Sequence, residues 1–264
     1  MPKPPNKPPQ SAPAATTDWH EVADWYDQLV GDSGSEFHQH VVLPGILRML
    51  APQPTDQILD VACGQGVLCR LLATRGYNVR GVDAAPDLIA AAKSRGPESI
   101  HYQLADARDL APIDAASLSA VTCILALQNI HPPQNVFASV ARVLQPGGRF
   151  VIAIMHPCFR SMHASDWGWD DKTKTQYRRI ERYLIPRKEP IVAHPGQKTG
   201  TYTWTFHRPL QDYIRFAANA GFLLQGMEEW PSHKTSTSGP RATAENTARK
   251  EIPMFMGLKW IKSA

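Results

Sequence analysis

An α/β fold with helices on both faces of a parallel sheet is the architecture that this 264-residue chain encodes. Three observations point to it. Short apolar runs alternate with helical patterns over the first two thirds of the chain. A Gly-rich turn, "ACGQG", links the first of these runs to a helix. The run "FVIAIM", Phe150 to Met155, is apolar throughout, as a strand covered on both faces must be.

The N-terminal segment "MPKPPNKPPQSAPAATT" holds six prolines and no apolar core. It is expected to be an extended, disordered tail over residues 1–17 rather than a secretory signal. Asp18 is the candidate N-cap of a first helix carrying Trp19, Val22, Trp25, Tyr26 and Leu29 at helical spacing. A second helix over residues 37–50 carries Val41, Ile46, Leu47 and Leu50.

Strand and helix patterns then alternate. "QILDVA" is a strand and "GVLCRLLATRG" a helix closed by Gly76. "YNVRGVD" is a strand, and "APDLIAAAKSRG" a helix with Pro86 in its first turn. "SIHYQLAD" and "SAVTCILAL" are strands, "PQNVFASVARVLQPGG" a helix with a Pro-Gly-Gly stop, and "RFVIAIMH" a fifth strand. Connections in such folds take about 2–6 residues, so residues 157–207 form an insertion. Within it "TYTWTF" alternates, with Tyr202, Trp204 and Phe206 expected on one face and threonines on the other. The regular pattern returns with a helix ("RPLQDYIRFAANAG") and two strands ("FLLQGMEEW", "EIPMFMGLKWI"). A polar stretch between those strands, "PSHKTSTSGPRATAENTARK", is expected to be a mobile loop.

Composition narrows the function. Hydrophobic residues make up 43% of the chain, enough for one sizeable core. The net charge of +4 permits an anionic substrate without demanding one. It is concentrated in the insertion, where residues 157–208 hold ten Lys/Arg against five Asp/Glu. No run approaches the roughly 18–20 apolar residues of a membrane span. Four cysteines without a CxxC pair fit a reducing, cytoplasmic setting.

"ILDVACGQG", Ile58 to Gly66, carries the chemistry. Gly64 and Gly66 let the backbone turn tightly and approach a ligand. The helix that follows offers free N–H groups and a positive dipole end. The spacing also gives Gly64-x-Gly66-x-x-Cys69, an imperfect dinucleotide fingerprint, so an NAD(P)-dependent oxidoreductase stays open on these residues. Asp83, at the end of the second strand, suits a ribose diol in either case. Against the NAD reading stand Asp60, four residues before Gly64, and Cys63 inside the turn.

The pattern D-x-x-x-G-x-G resembles motif I of the class I S-adenosylmethionine (SAM) methyltransferases. The similarity runs from about Trp19 to Lys262 without the insertion. It implies a seven-stranded, mostly parallel sheet whose last strand is antiparallel, between strands five and six, with the insertion as a lid or substrate subdomain. The cofactor-binding core is then residues 18–156 and 208–264, with 157–207 inserted. SAM is the implied cofactor. Asp60, Ala62, Cys63, Gly64 and Gly66 would hold its methionine portion, and Asp83 with Ala84 its ribose. Asp106 and Ala107 would meet the adenine, and Leu125 and Ala126 would line the cavity. "WHEVADWYD" resembles the opening helix of the small-molecule enzymes, so Tyr26 is expected to close over the cofactor and His38 to approach its carboxylate.

Acceptor candidates lie at the carboxyl ends of strands four and five. His156 and His131 are the candidate catalytic groups, as general base or acceptor-orienting residue. Asn129, His156, Tyr202, Trp204 and His207 are candidate substrate contacts, with Trp167 and Trp169 as further aromatic lining. Arg178, Arg179 and Arg182 could attract an anionic group. His156-x-Cys158 is not a convincing metal-ligand set. The strand-four segment "ALQNI" lacks the N/D-P-P-Y/F of base- and glutamine-methylating enzymes, so no nucleic acid is expected. The expected partner is a small molecule, aromatic or anionic, with no membrane and a homodimer allowed. A non-catalytic SAM-fold protein is the third reading.

Overall fold

The computed structural model describes Trp19 and residues 22–193 and 202–264. The expected tail and the Asp18 cap lie outside the described residues. The chain enters through α1 (Ala23–Val30) and a π-helical turn (His38–Val42) that runs directly into α2 (Leu43–Leu50). Then come β1 (Gln57–Val61), α3 (Val67–Thr74), β2 (Asn78–Asp83), α4 (Pro86–Arg95) and β3 (His101–Leu104). They are followed by β4 (Leu118–Ile124), α5 (Pro133–Val143) and β5 (Leu144–Met155). The helix α5 stops short of Pro-Gly-Gly, because Gln145 precedes a proline and is pushed out of the helical region. The amides of Ala116 and Ser117 take up the carbonyls of Arg142 and Val143 at the helix end.

The insertion is two antiparallel pairs, β6 (Ser165–Asp170) with β7 (Thr175–Ile180) and β8 (Arg187–Val192) with β9 (Tyr202–His207). The chain closes with α6 (Leu210–Asn219), β10 (Phe222–Trp230), α7 (Ala242–Glu251) and β11 (Phe255–Lys262). The main sheet has the order β10-β11-β5-β4-β1-β2-β3. The seventh strand, β11, runs antiparallel to both β5 and β10, between strands five and six of the sheet.

The uniform apolarity of β5 has a direct reason. Phe150, Ile152 and Ile154 pack in one core and Val151 and Ala153 in the other, on the opposite face. The first core is anchored by Phe137, Phe150 and Trp260, with ring centroids 5.5–5.7 Å apart. In the second, the Trp230 indole lies where side chains at Gly45 and Gly257 would be. A Cβ at either position would fall within 2.6 Å of the ring.

One expectation is corrected. The polar stretch before β11 is not wholly a loop, since it contains α7. Its sequence, "ATAENTARKE", has only Ala248 buried, so it carries no apolar stripe to announce a helix. It is held instead by polar contacts. Asn246 and Arg249 both bond Ser236, at 2.7–3.0 Å, and Arg249 pairs with Glu245 at 3.5 Å. In β9 the most deeply buried side chain among residues 202–206 is Thr203, at 1% exposure, while Tyr202 is exposed. Alternation located the strand there without fixing which face turns inward.

Candidate active site

At the carboxyl edge of the sheet, β1 and β4 are neighbours while their chain connections run in opposite directions. This is a topological switch point, where open α/β sheets bind ligands. Ala62 and Leu125, just past the ends of β1 and β4, both adopt left-handed backbone conformations, with φ of 54° and 52°. Between them opens a cavity of about 420 Å³, within the range of about 300–1,000 Å³ usual for small-molecule sites.

Asp83 is its central polar group. One carboxylate oxygen accepts from the Gly64 amide at 2.8 Å, and the other from the Ala85 amide at 2.9 Å. Each oxygen keeps lone pairs for further donors. Burial raises the Asp83 pKa, while hydrogen bonds from Ala85, Gly64 and Ala84 oppose the rise. Gly64 has φ 55°, and a Cβ there would reach within 3.3 Å of the Tyr26 ring. The absence of that Cβ leaves a cradle between the loop and α1.

Gly66 serves a different purpose. It caps α3 with φ 81°, and a Cβ there would collide with the Tyr102 hydroxyl. It does not line either cavity at this edge, so its glycine allows the loop to pack on β3 rather than on a ligand.

Tyr26 covers the cavity from α1. Its phenol is kept protonated, chiefly by burial and then by the nearby Asp83 and Asp60 charges. An ion-pair clamp holds this helix: Arg95 of α4 donates to Asp27 at 2.6 Å and to Gln65 of the glycine loop. Gln65 in turn donates to the Gly31 carbonyl at 3.0 Å. Beside the main cavity lies a smaller one of about 30 Å³, lined by Tyr26, His38, Asp60, Ala62 and Cys63 among others. His38 bonds Ser35 at 2.8 Å, and burial lowers its pKa. Asp60 is 3% exposed and accepts from the Thr122 hydroxyl at 2.7 Å. Burial lifts its pKa to about 7.

Ala84, Asp106, Ala107, Leu125 and Ala126 also line the main cavity. Asp106 is not a free carboxylate. Burial would raise its pKa, but Arg108 holds it low through its backbone amide at 2.8 Å and its side-chain Nε at 3.0 Å. Arg108 also lines the cavity, although nothing in the sequence singles it out. No periodicity marks it, because its approach depends on the turn after β3.

A second cavity of about 200 Å³ lies between the insertion and the sheet edge, and Asn129 lines both it and the main cavity. His207 lines the second cavity, and its Nε2 bonds the Tyr183 carbonyl at 2.7 Å. Several candidates lie elsewhere. Tyr202 and Trp204 do not line it; they contact each other edge to face, and Trp204 lies under Lys188. Trp167 is flanked by Arg160 and Arg178, and Trp169 lies under Arg241. Arg178 donates to the carbonyls of Phe159 and Ser165, and Arg179 pairs with Glu181.

His156 is a correction. It is 5% exposed and lines none of these cavities. Its Nδ1 accepts from the amides of Cys158 and Phe159 at 3.2–3.3 Å, and its Nε2 bonds Glu229 at 2.7 Å. Burial lowers its pKa more than Glu229 raises it. With both nitrogens engaged, His156 fixes the turn that starts the insertion. We expect His156→Ala to lower unfolding free energy by about 1–3 kcal/mol while leaving S-adenosylhomocysteine affinity unchanged. Urea denaturation and calorimetry check the pair, and unaltered stability would overturn the structural role. His131 is also displaced. It is exposed, stacks on Phe206 at 5.0 Å, and offers its carbonyl to Arg108 at 2.9 Å.

Known proteins share this core. Residues 59–152 match the family model described as "Methyltransferase domain". The ubiquinone biosynthesis O-methyltransferase of Xanthomonas oryzae pv. oryzae (strain PXO99A) is 34% identical over 103 residues, 38% of this chain and 43% of that protein. The protein of the same name from Hahella chejuensis is 33% identical over 144 residues, 51% of this chain and 60% of that one. The chain thus spans less than two thirds of these relatives. A solved SAM-dependent methyltransferase from Mesorhizobium loti superposes with a TM-score of 0.66 at 26% identity, covering 83% of this chain and 96% of that one. Residues 59–152 thus form a methyltransferase domain, set in a sheet with the fold of the class I, Rossmann-like SAM-dependent methyltransferases.

Proposed function

We propose that this protein transfers the methyl group of SAM to a small organic acceptor seated between the insertion and the sheet edge. The observation that carries this reading is that two neighbouring cavities share Asn129 as a wall, one lined by Asp83 and the Gly64 loop, the other by the insertion. The residues suit the cofactor. Asp83 has lone pairs to spare for a ribose diol, and the missing Cβ of Gly64 leaves room for a ligand under Tyr26.

Bound SAM supplies a methyl carbon on a sulfonium, whose leaving group is a neutral thioether. The protein's share of the work is alignment and exclusion of water. Tyr26 covers the cofactor side, and the Arg95–Asp27–Gln65 clamp keeps α1 in place. Asn129 stands between the two cavities, where it can orient an acceptor.

The test is a thermal-shift comparison of the whole chain with S-adenosylhomocysteine and with NADPH. The first is expected to raise the melting temperature and the second to leave it unchanged. A shift with NADPH alone would replace this reading with the oxidoreductase.

A further inference from the structure

The second cavity holds a set of polar groups that its own fold leaves unsatisfied. Asn129 is 6% exposed, and its Oδ1 has no hydrogen-bond partner. Gln128 Oε1, beside it, is also buried and unpartnered. Each side chain spends its amide N–H on the Leu125 carbonyl, at 2.6 Å for Gln128 and 3.4 Å for Asn129. Two carbonyl oxygens are therefore left as acceptors beside the cofactor cavity. A buried acceptor without a donor costs about 1–3 kcal/mol, which a ligand hydroxyl or amine would recover.

The cavity is also cationic. Arg160 lines it, is half-buried, and its Nε is buried with no partner. Among the described residues no carboxylate pairs with it, and the Trp167 ring lies 5.1 Å away. Burial, and then the charge of Arg178, pull its pKa down to about 10. A guanidinium in that condition gains from a nearby anion. Arg208 adds a second buried positive charge, donating to the Ile130 carbonyl at 2.7 Å. The acid in the lining, Glu189, is already paired with Arg187 at 3.2 Å. Met155, Pro157, Met162, Ile191 and Phe206 supply apolar wall, and Ser161, Thr205 and His207 are further polar groups in the lining.

We propose that the acceptor is a small anionic molecule, with its carboxylate or phosphate on Arg160 and a hydroxyl or amine donor held by Asn129 and Gln128. The volume of about 200 Å³ suits one substituted ring, since a cavity of about 150 Å³ already admits benzene. The proposal deepens the methyltransferase reading and rests on it. It also moves the anion site from Arg178, Arg179 and Arg182, whose side chains bond backbone carbonyls or lie at the surface, to Arg160.

The experiment uses the whole chain saturated with S-adenosylhomocysteine. It is titrated by calorimetry with 3,4-dihydroxybenzoate and with its neutral isostere 3,4-dihydroxybenzamide, and separately with inorganic phosphate as competitor. The acid is expected to bind at least about tenfold more tightly than the amide, a difference of about 1.4 kcal/mol. Phosphate is expected to compete with the acid. Arg160→Gln should abolish the preference and Arg160→Lys should retain most of it, both with unaltered S-adenosylhomocysteine affinity. Equal binding of acid and amide, binding of neither, or a preference that survives Arg160→Gln would each overturn the proposal. Failure of S-adenosylhomocysteine itself to bind would instead strike the methyltransferase reading.

Discussion

Asp83→Ala is expected to weaken S-adenosylhomocysteine binding by at least about a hundredfold. Two hydrogen bonds from ligand hydroxyls to an ionised carboxylate are worth about 1.5–3 kcal/mol each, so losing both removes at least about 3 kcal/mol. The same substitution releases the Gly64 and Ala85 amides, which Asp83 holds at 2.8 and 2.9 Å. The glycine loop would lose its internal partner as well as the ligand's. Asp83→Asn separates the two effects. It keeps one carbonyl oxygen and the side-chain volume but has no charge. Its affinity should lie between those of wild type and Asp83→Ala. Calorimetric titration of the three proteins gives the series. Binding by Asp83→Ala within a few fold of wild type would mean that the diol is held elsewhere.

Asp60→Asn is expected to change how stability depends on pH. Asp60 is buried at 3% exposure, and burial raises its pKa from 3.8 to about 7, with the Asp83 charge adding to the effect and Thr122 opposing it. The folded protein therefore binds more protons at this site than the unfolded chain between those two values. Stability from this group is fully present below pH 3.8 and is lost as pH rises through about 7. Over that window the wild type should lose on the order of 4 kcal/mol relative to Asp60→Asn. Histidines with lowered pKa values, such as His38 and His156, slope the other way. The difference between the two proteins isolates Asp60. Urea denaturation without cofactor, from about pH 4 to about pH 8, measures it, and parallel pH profiles would refute the assignment. A buried acid near neutrality also suits a ligand bearing an ammonium group, which would draw the proton off as it binds.

The parts of the site that lie close together along the chain were legible in the sequence itself. Asp60, Gly64 and Asp83 sit at strand ends, and strand ends are set by local apolar period and by glycine. Gly66 was legible as a glycine that must turn, but not in its purpose, because its neighbour Tyr102 comes from another strand. His156 was found at the expected strand end, yet Glu229 of β10 and the following turn occupy both its nitrogens. Helix α7 was not legible, because its stability comes from Ser236 and Glu245 contacts rather than from an apolar face.

Short-range patterning was sufficient for the alternating strands and helices, for the glycine turn after the first strand and for a break in the regular pattern after the fifth. Those features depend on backbone conformation and on periods of two and 3.6 residues, which neighbouring residues specify. The character of the second cavity came from the folded chain alone. Arg160 and Arg178 are equivalent as letters in a basic insertion. Folding gives Arg178 two backbone carbonyls and leaves Arg160 without a carboxylate. Whether a charge is spent or spare depends on partners far away in sequence, and packing chooses those partners.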